Sequence, residues 1–164
     1  MQPRIDSTKV SPGVYRAMMG LEKYVHECGL ETSLLELVRM RASQINGCAF
    51  CLDMHSKEAL AAGETEQRLF LLNAWREAPF YTDRERAALA WTESLTLIAD
   101  NHVPDEVYNE TRQFFNEQEI MNLTLAVVAI NGWNRITIGF RWTVGEYKPG
   151  MVAAMLKNME WAVK

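Results

Sequence analysis

The stretch Ile45-Asn46-Gly47-Cys48-Ala49-Phe50-Cys51-Leu52-Asp53-Met54-His55 reads as a helix end, a tight turn and a helix start. Upstream, Leu34, Leu37, Val38 and Ile45 form a helical stripe from Ser33 onward, and Thr32 or Ser33 can cap its start. Asn46-Gly47 ends that helix, because glycine takes the left-handed conformation of a helix terminus without a Cβ clash. Downstream, Cys48 to Ala62 is rich in Ala and Leu and stops at Gly63. Two helices joined by so short a turn must run antiparallel, so the stretch sets a helical hairpin and with it an all-α fold.

The same stretch carries the chemistry. Cys48 and Cys51 are i and i+3 in the first helical turn. That spacing puts them about 5–6 Å apart, within disulfide reach. The partial positive charge and unpaired N–H groups of a helix N-terminus lower thiol pKa values there. His55 follows Cys51 at i+4, on one face, so an imidazole can reach the thiol. Glu36 lies eleven residues before Gly47 and His55 eight after it. On adjacent antiparallel helices these stand at similar heights, offset by about 4–5 Å. A Glu36–His55 contact would fix the histidine tautomer and favour the imidazolium. Nucleophile, resolving thiol, base and orienter are thereby assembled. Two other readings use the same residues. Glu36 can be the capping-box partner of Ser33. Two cysteines, a histidine and a glutamate can also bind zinc, although ligands at i, i+3 and i, i+4 would crowd one short helix.

The rest of the chain extends the helical pattern. A short helix is expected from Glu64-Thr65-Glu66 to Ala78-Pro79. Thr82-Asp83-Arg84-Glu85 has capping-box form and opens a helix to Ile98. Asn101-His102-Val103-Pro104 breaks it, and Pro104 opens the next, to Phe114. Gln118 to Ile130 is apolar on nearly all sides, which predicts a buried helix. Asn131-Gly132 is expected to end it, with another helix over Trp133 to Phe140 and a final one over Met151 to Val163. No stretch reads as a strand. Ile45-Asn46-Gly47 recurs as Ile130-Asn131-Gly132, 85 residues on. This suggests an internal helical-hairpin repeat whose second copy carries no reactive group. The expectation is one helical domain over residues 1–164, with a redox core at about 34–62.

Composition excludes several classes. The net charge of −4 leaves no basic excess to neutralise phosphates, so nucleic acid is not an expected partner. No apolar run reaches the roughly 20 residues of a membrane span, and the N-terminus has no signal-peptide pattern. A cytoplasmic, reducing location is expected, where a Cys-x-x-Cys pair serves redox chemistry or metal binding rather than structure. Cys28, the odd third cysteine, reads as an inert buried thiol. Asn134-Arg135 with Arg141 forms a polar cluster that could hold an anion or line a salt-bridged helix face. Five Trp and nine Met exceed what one layer of short helices covers, which points to homo-oligomerisation.

Glu36, Asn46-Gly47-Cys48-Ala49-Phe50-Cys51 and His55 together resemble the signature of the AhpD-like alkylhydroperoxidases of the carboxymuconolactone decarboxylase superfamily. The resemblance continues more loosely through Arg84 to Glu93 and Asn131 to Arg135. It implies an all-helical fold, assembly as a homotrimer or homohexamer, and a thiol peroxidase with Glu36 and His55 in a proton relay. One departure stands out: the best-known members carry a second histidine where this chain has Phe50. On this reading a thiolate, Cys51 with His55 as its base, attacks a hydroperoxide, and Cys48 closes a disulfide that an external thiol or dithiol reduces. If Cys48 is the more exposed thiol, the two exchange roles. No cofactor or metal is expected beyond the cysteine pair. Two activities of other classes use the same residues: disulfide exchange or redox sensing without peroxide turnover, and a zinc-stabilised helical module.

Overall fold

The computed structural model describes residues 2–158, and the part of the expected last helix beyond 158 lies outside them. Among the described residues the chain is helical and contains no strand. In order, the elements are α1 (Ser7–Val10), α2 (Pro12–Glu27), α3 (Thr32–Asn46), α4 (Ala49–Ala61) and α5 (Glu66–Phe70). Then follow a 3₁₀ turn (Leu72–Ala74), α6 (Asp83–Thr96), α7 (Ile98–Asn101), α8 (Asp105–Phe114), α9 (Glu117–Phe140) and α10 (Met151–Asn158). Helix α2, with Pro12 at its first turn, was not foreseen from the sequence.

Helix α3 is the axis of the bundle and packs against α4, α6 and α9. Every residue from Leu34 to Met40 is buried, Glu36 and Arg39 included. On one side Leu34, Leu35 and Val38 meet Ala87, Ala88 and Trp91 of α6 and Leu123, Ala126 and Val127 of α9. On another, Leu37 and Met40 join Ala59, Leu72, Trp75 and Leu89. A third, smaller cluster holds Ala42, Ile130 and both cysteines of the pair, with Phe50 against it.

The α3–α4 turn forms as its sequence dictates. Gly47 sits at φ 68°, ψ 34°. Its N–H bonds the Gln44 carbonyl at 3.3 Å and the Cys48 N–H bonds the Ser43 carbonyl at 3.0 Å, which is a Schellman motif. A Cβ at Gly47 would meet nothing within 4 Å, so the requirement is conformational, not steric crowding. Gly47→Ala is therefore expected to cost about 1–2 kcal/mol in chemical denaturation. Thr82 and Glu85 form the expected capping box of α6. The caps of α3 differ from expectation. Thr32 is already helical, Glu31 holds the N-cap position without a side-chain capping bond, and Ser33 has no capping role.

The second Asn-Gly does not break its helix. Helix α9 runs unbroken from Glu117 to Phe140, so the expected helical-hairpin repeat is absent. Gly132 is instead a contact glycine: a Cβ there would stand 2.9 Å from Met18 Cε of α2. Trp133, Asn134 and Arg135 continue the helix, whereas Gly47 is followed at once by the N-cap of α4. The two triplets do meet in space, with Asn46 Nδ2 donating to Asn131 Oδ1 at 2.9 Å and to Asn134 Oδ1 at 2.8 Å. Nor is α9 buried all round: Met121 and Val128, two turns apart on one face, are 68% and 53% exposed.

Candidate active site

Cys48 is the N-cap residue of α4, and its Sγ accepts the Cys51 backbone N–H at 3.3 Å. A sulfur thus fills the position that Ser, Asp or Asn usually takes. Cys51 closes the first turn three residues on. Both cysteines are only 1% exposed. Helix α9 crosses above them, placing Thr137 Oγ1 3.0 Å from Cys48 Sγ and 3.4 Å from Cys51 Sγ. Asn134 of α9 stands beside the pair, and its amide helps lower the pKa of both thiols.

These contacts split the two thiols. Cys48 receives a hydrogen bond from the Cys51 side chain; burial opposes its ionisation, but Thr137, the Cys51 N–H and Asn134 add donors. Its pKa falls to about 6. Cys51, by giving its proton toward Cys48 and being buried, is pushed far up and stays a thiol. One proton is shared between two sulfurs, and the charge rests on Cys48.

Glu36 and His55 meet as their spacing predicts, with His55 Nδ1 2.8 Å from Glu36 Oε2. Burial pushes the Glu36 pKa up, but His55 and Arg39 outweigh it and bring the carboxyl down to about 2. Glu36 is therefore a carboxylate and an acceptor, which makes Nδ1 the donor and directs Nε2 away from Glu36. The capping-box reading of Glu36 is thereby displaced. Arg39 Nη1 donates to Glu36 Oε1 at 2.7 Å and Nη2 to Glu22 Oε2 at 2.9 Å. A continuous buried chain of charge runs Glu22–Arg39–Glu36–His55. Among the described residues no hydrogen bond joins His55 to either sulfur; the side chain bonded to the Cys51 sulfur is Thr137.

Cys51, His55 and Glu36 line one cavity of about 850 Å³, and Cys48 lies behind Cys51, outside its lining. The walls are aromatic: Tyr15, Phe50, Trp133 and Trp142. Phe50 packs edge-on against Trp142 with centroids 5.1 Å apart. The segment from Trp142 to α10 also lines the cavity and is tied to α4. Lys57 Nζ donates to the Gly145 and Tyr147 carbonyls, at 3.3 and 3.2 Å. Glu58 Oε1 accepts the Gly150 N–H at 2.8 Å and the Tyr147 hydroxyl.

Arg39, Glu22, Thr137 and Asn134 were not singled out by sequence as parts of the thiol site. Arg39 carried a signal, since it follows Glu36 at i+3. Thr137 carried none while α9 was read as broken. The anticipated cluster of Asn134, Arg135 and Arg141 does not assemble as a binding site: Asn134 is buried beside Ser43, and the exposed Arg135 bonds the Asn131 carbonyl. Cys28 is half-buried, its S–H directed at the Val25 carbonyl 3.1 Å away. Among the described residues no group of three or more His, Cys, Asp or Glu side chains has the geometry to hold a metal ion, and no helix is long and apolar enough to cross a membrane.

A sequence model of the carboxymuconolactone decarboxylase family matches residues 12–94. The uncharacterized protein YdfG of Bacillus subtilis is 43% identical over 138 residues, 84% of this chain and 94% of the relative. A crystal structure from Agrobacterium tumefaciens, of a protein of unknown function proposed to be the antioxidant defence protein AhpD, is 45% identical. It superposes with a TM-score of 0.86 over 89% of this chain and all of that one. The debrominase Bmp8 shares the fold at 20% identity, with a TM-score of 0.76 over 94% of this chain and 81% of its own.

Proposed function

The chain belongs to the carboxymuconolactone decarboxylase family, as an AhpD-like member, and from that premise we propose that it is a thiol-dependent peroxidase for organic hydroperoxides. The observation that carries this reading is the Cys48–Cys51 pair in the first turn of α4, with Cys51 lining an aromatic cavity that also holds His55. A hydroperoxide entering the cavity meets Cys51 first. The Cys51 sulfur attacks the terminal peroxide oxygen, and its proton passes to Cys48, the base already bonded to it. The O–O bond breaks, and the departing alkoxide takes a proton from Nε2 of the His55 imidazolium, leaving an alcohol, a sulfenic acid on Cys51 and a neutral imidazole whose Nδ1–H stays on Glu36. Cys48 then attacks the Cys51 sulfur and water leaves. A dithiol reduces the disulfide and returns both protons. This revises the role expected of His55, from base toward Cys51 to acid toward the leaving group.

Burial argues for peroxide reduction over exchange with protein disulfides, because Cys51, only 1% exposed, is approached through the cavity by a small molecule and is closed to a folded partner. The cavity also suits a neutral, apolar-bodied peroxide. Its one buried guanidinium, Arg39, is already taken by two carboxylates. The test is steady-state turnover with dithiothreitol as donor. Cumene hydroperoxide is expected to exceed hydrogen peroxide in kcat/KM by about tenfold or more, from the apolar area it buries. Peptide mapping after peroxide treatment should show a Cys48–Cys51 disulfide with Cys28 free. A dominant Cys28 linkage, or no peroxide consumption, defeats the reading.

The assembly proposed is a homotrimer or homohexamer, supported by the bare apolar face of α9 at Met121 and Val128 and by exposed Leu97 and Ile98. Light scattering is expected to give a mass of three or six times 18.8 kDa; a monomer mass refutes it.

A further inference from the structure

Thr137 Oγ1 has more hydrogen-bond partners than protons. It lies 3.0 Å from Cys48 Sγ and 3.4 Å from Cys51 Sγ, and also 2.9 Å from the Trp133 carbonyl and 3.3 Å from that of Asn134. A hydroxyl has one hydrogen to give and two lone pairs with which to accept. While both cysteines are protonated, the hydrogen goes to the Trp133 carbonyl and the oxygen accepts an S–H. An ionised sulfur can only accept, so the hydroxyl must then turn and donate to it.

We infer that Thr137 is a positioning residue of the thiol site, whose hydroxyl swings from the Trp133 carbonyl to the Cys48 sulfur and holds it as a thiolate. Three observations support this. First, the sulfur is enclosed by Ala42, Ile130 and Phe50, where a bare anion would be costly. Second, the other donors are fixed in advance. The Cys51 N–H is part of the helix cap. The Asn134 amide is oriented at both ends, accepting from Asn46 Nδ2 at 2.8 Å and donating to Ser43 Oγ at 3.1 Å. Held so, Asn134 cannot turn, and of the three groups that favour the thiolate Thr137 is the one that must move. Third, His55 on α4 and Glu36 with Arg39 on α3 are charged or titratable groups that share the cavity with Cys51, while the α9 groups at the sulfurs, Thr137 and Asn134, are neutral. Thr137 therefore tunes Cys48 without altering the local charge.

The inference deepens the peroxidase reading and rests on it for its catalytic meaning, but its test reads ionisation rather than turnover. In a Cys28→Ser background, thiolate absorbance and the rate of iodoacetamide alkylation at Cys48, assigned by peptide mapping, are followed against pH. The parent protein is expected to show an inflection near pH 6. Thr137→Val, which keeps the shape and loses the hydroxyl, should raise it by about one pH unit and slow alkylation at that pH about fivefold. Thr137→Ser should retain the parent value. If the valine variant does not fold, Thr137→Ala carries the same expectation. The inference is overturned if removing the hydroxyl leaves the inflection in place, or if serine shifts it as far as valine does. Loss of peroxide turnover with the predicted shifts intact would sink the peroxidase reading alone.

Discussion

Cys51→Ser is expected to lower peroxide turnover by about 10⁴-fold or more, because it removes the sulfur that faces the cavity and becomes oxidised. Cys48→Ser should abolish multiple turnover to a similar extent for a different reason. It takes away the group that accepts the Cys51 proton and the sulfur that closes the disulfide. The two variants separate in a single turnover. Cys48→Ser should still accumulate a sulfenic acid on Cys51, slowly and without resolution, detectable by dimedone labelling. Cys51→Ser should form none at a comparable rate. In the unmodified protein the first step should accelerate as pH rises through about 6, since ionisation of Cys48 creates the proton acceptor. Rapid labelling of Cys48 in Cys51→Ser would reverse the roles of the two sulfurs.

His55→Gln is expected to cost about 100- to 10,000-fold in turnover, the range for a positioned proton donor or acceptor. Glu36→Gln should cost less at the chemical step, because it acts only through the tautomer and charge of His55. Its effect on stability is the larger of the two. Glu36 is buried between Arg39 and His55, and removing one member of such a buried set costs about 3–5 kcal/mol. The sign with pH follows from the lowered pKa. The contribution of Glu36 is full above its ordinary value of 4.5 and is lost as pH falls toward about 2. Turnover per folded molecule separates the roles. If folded Glu36→Gln works normally while His55→Gln is inactive, Glu36 is structural only. If His55→Gln retains full turnover, His55 has no place in the proton transfer.

Much of this site is local, and local features were legible. Gly47 fixes the turn, the turn fixes the hairpin, and the hairpin brings Glu36 to His55, all within twenty residues and governed by helical spacing. What lay out of reach came from the other half of the chain. Ile130-Asn131-Gly132 carries the same letters as Ile45-Asn46-Gly47, yet only the first ends a helix. In the structure Gly132 packs against Met18 of α2 inside a continuous helix, whereas Gly47 takes the left-handed conformation that ends one. Once α9 is continuous, Thr137 and Asn134 arrive above the sulfurs, and no periodicity within α9 announces that. Arg39 lay in between: its spacing from Glu36 was visible, but its second partner, Glu22, sits on a helix the sequence reading passed over.

The capping of α4 by a sulfur ties the state of the backbone to the oxidation state of the protein. In the reduced form the Cys48 sulfur carries charge and collects donors from Cys51, Thr137 and Asn134. Joined to Cys51 in a disulfide, it is uncharged and a weak acceptor, and most of that stabilisation is forfeited. A redox couple whose reduced form is favoured in this way is displaced toward easy reduction. The oxidised protein would then be restored by ordinary thiol donors, and oxidation would fall hardest on the first turn of α4, which loses its cap each time the pair closes and regains it each time the pair opens.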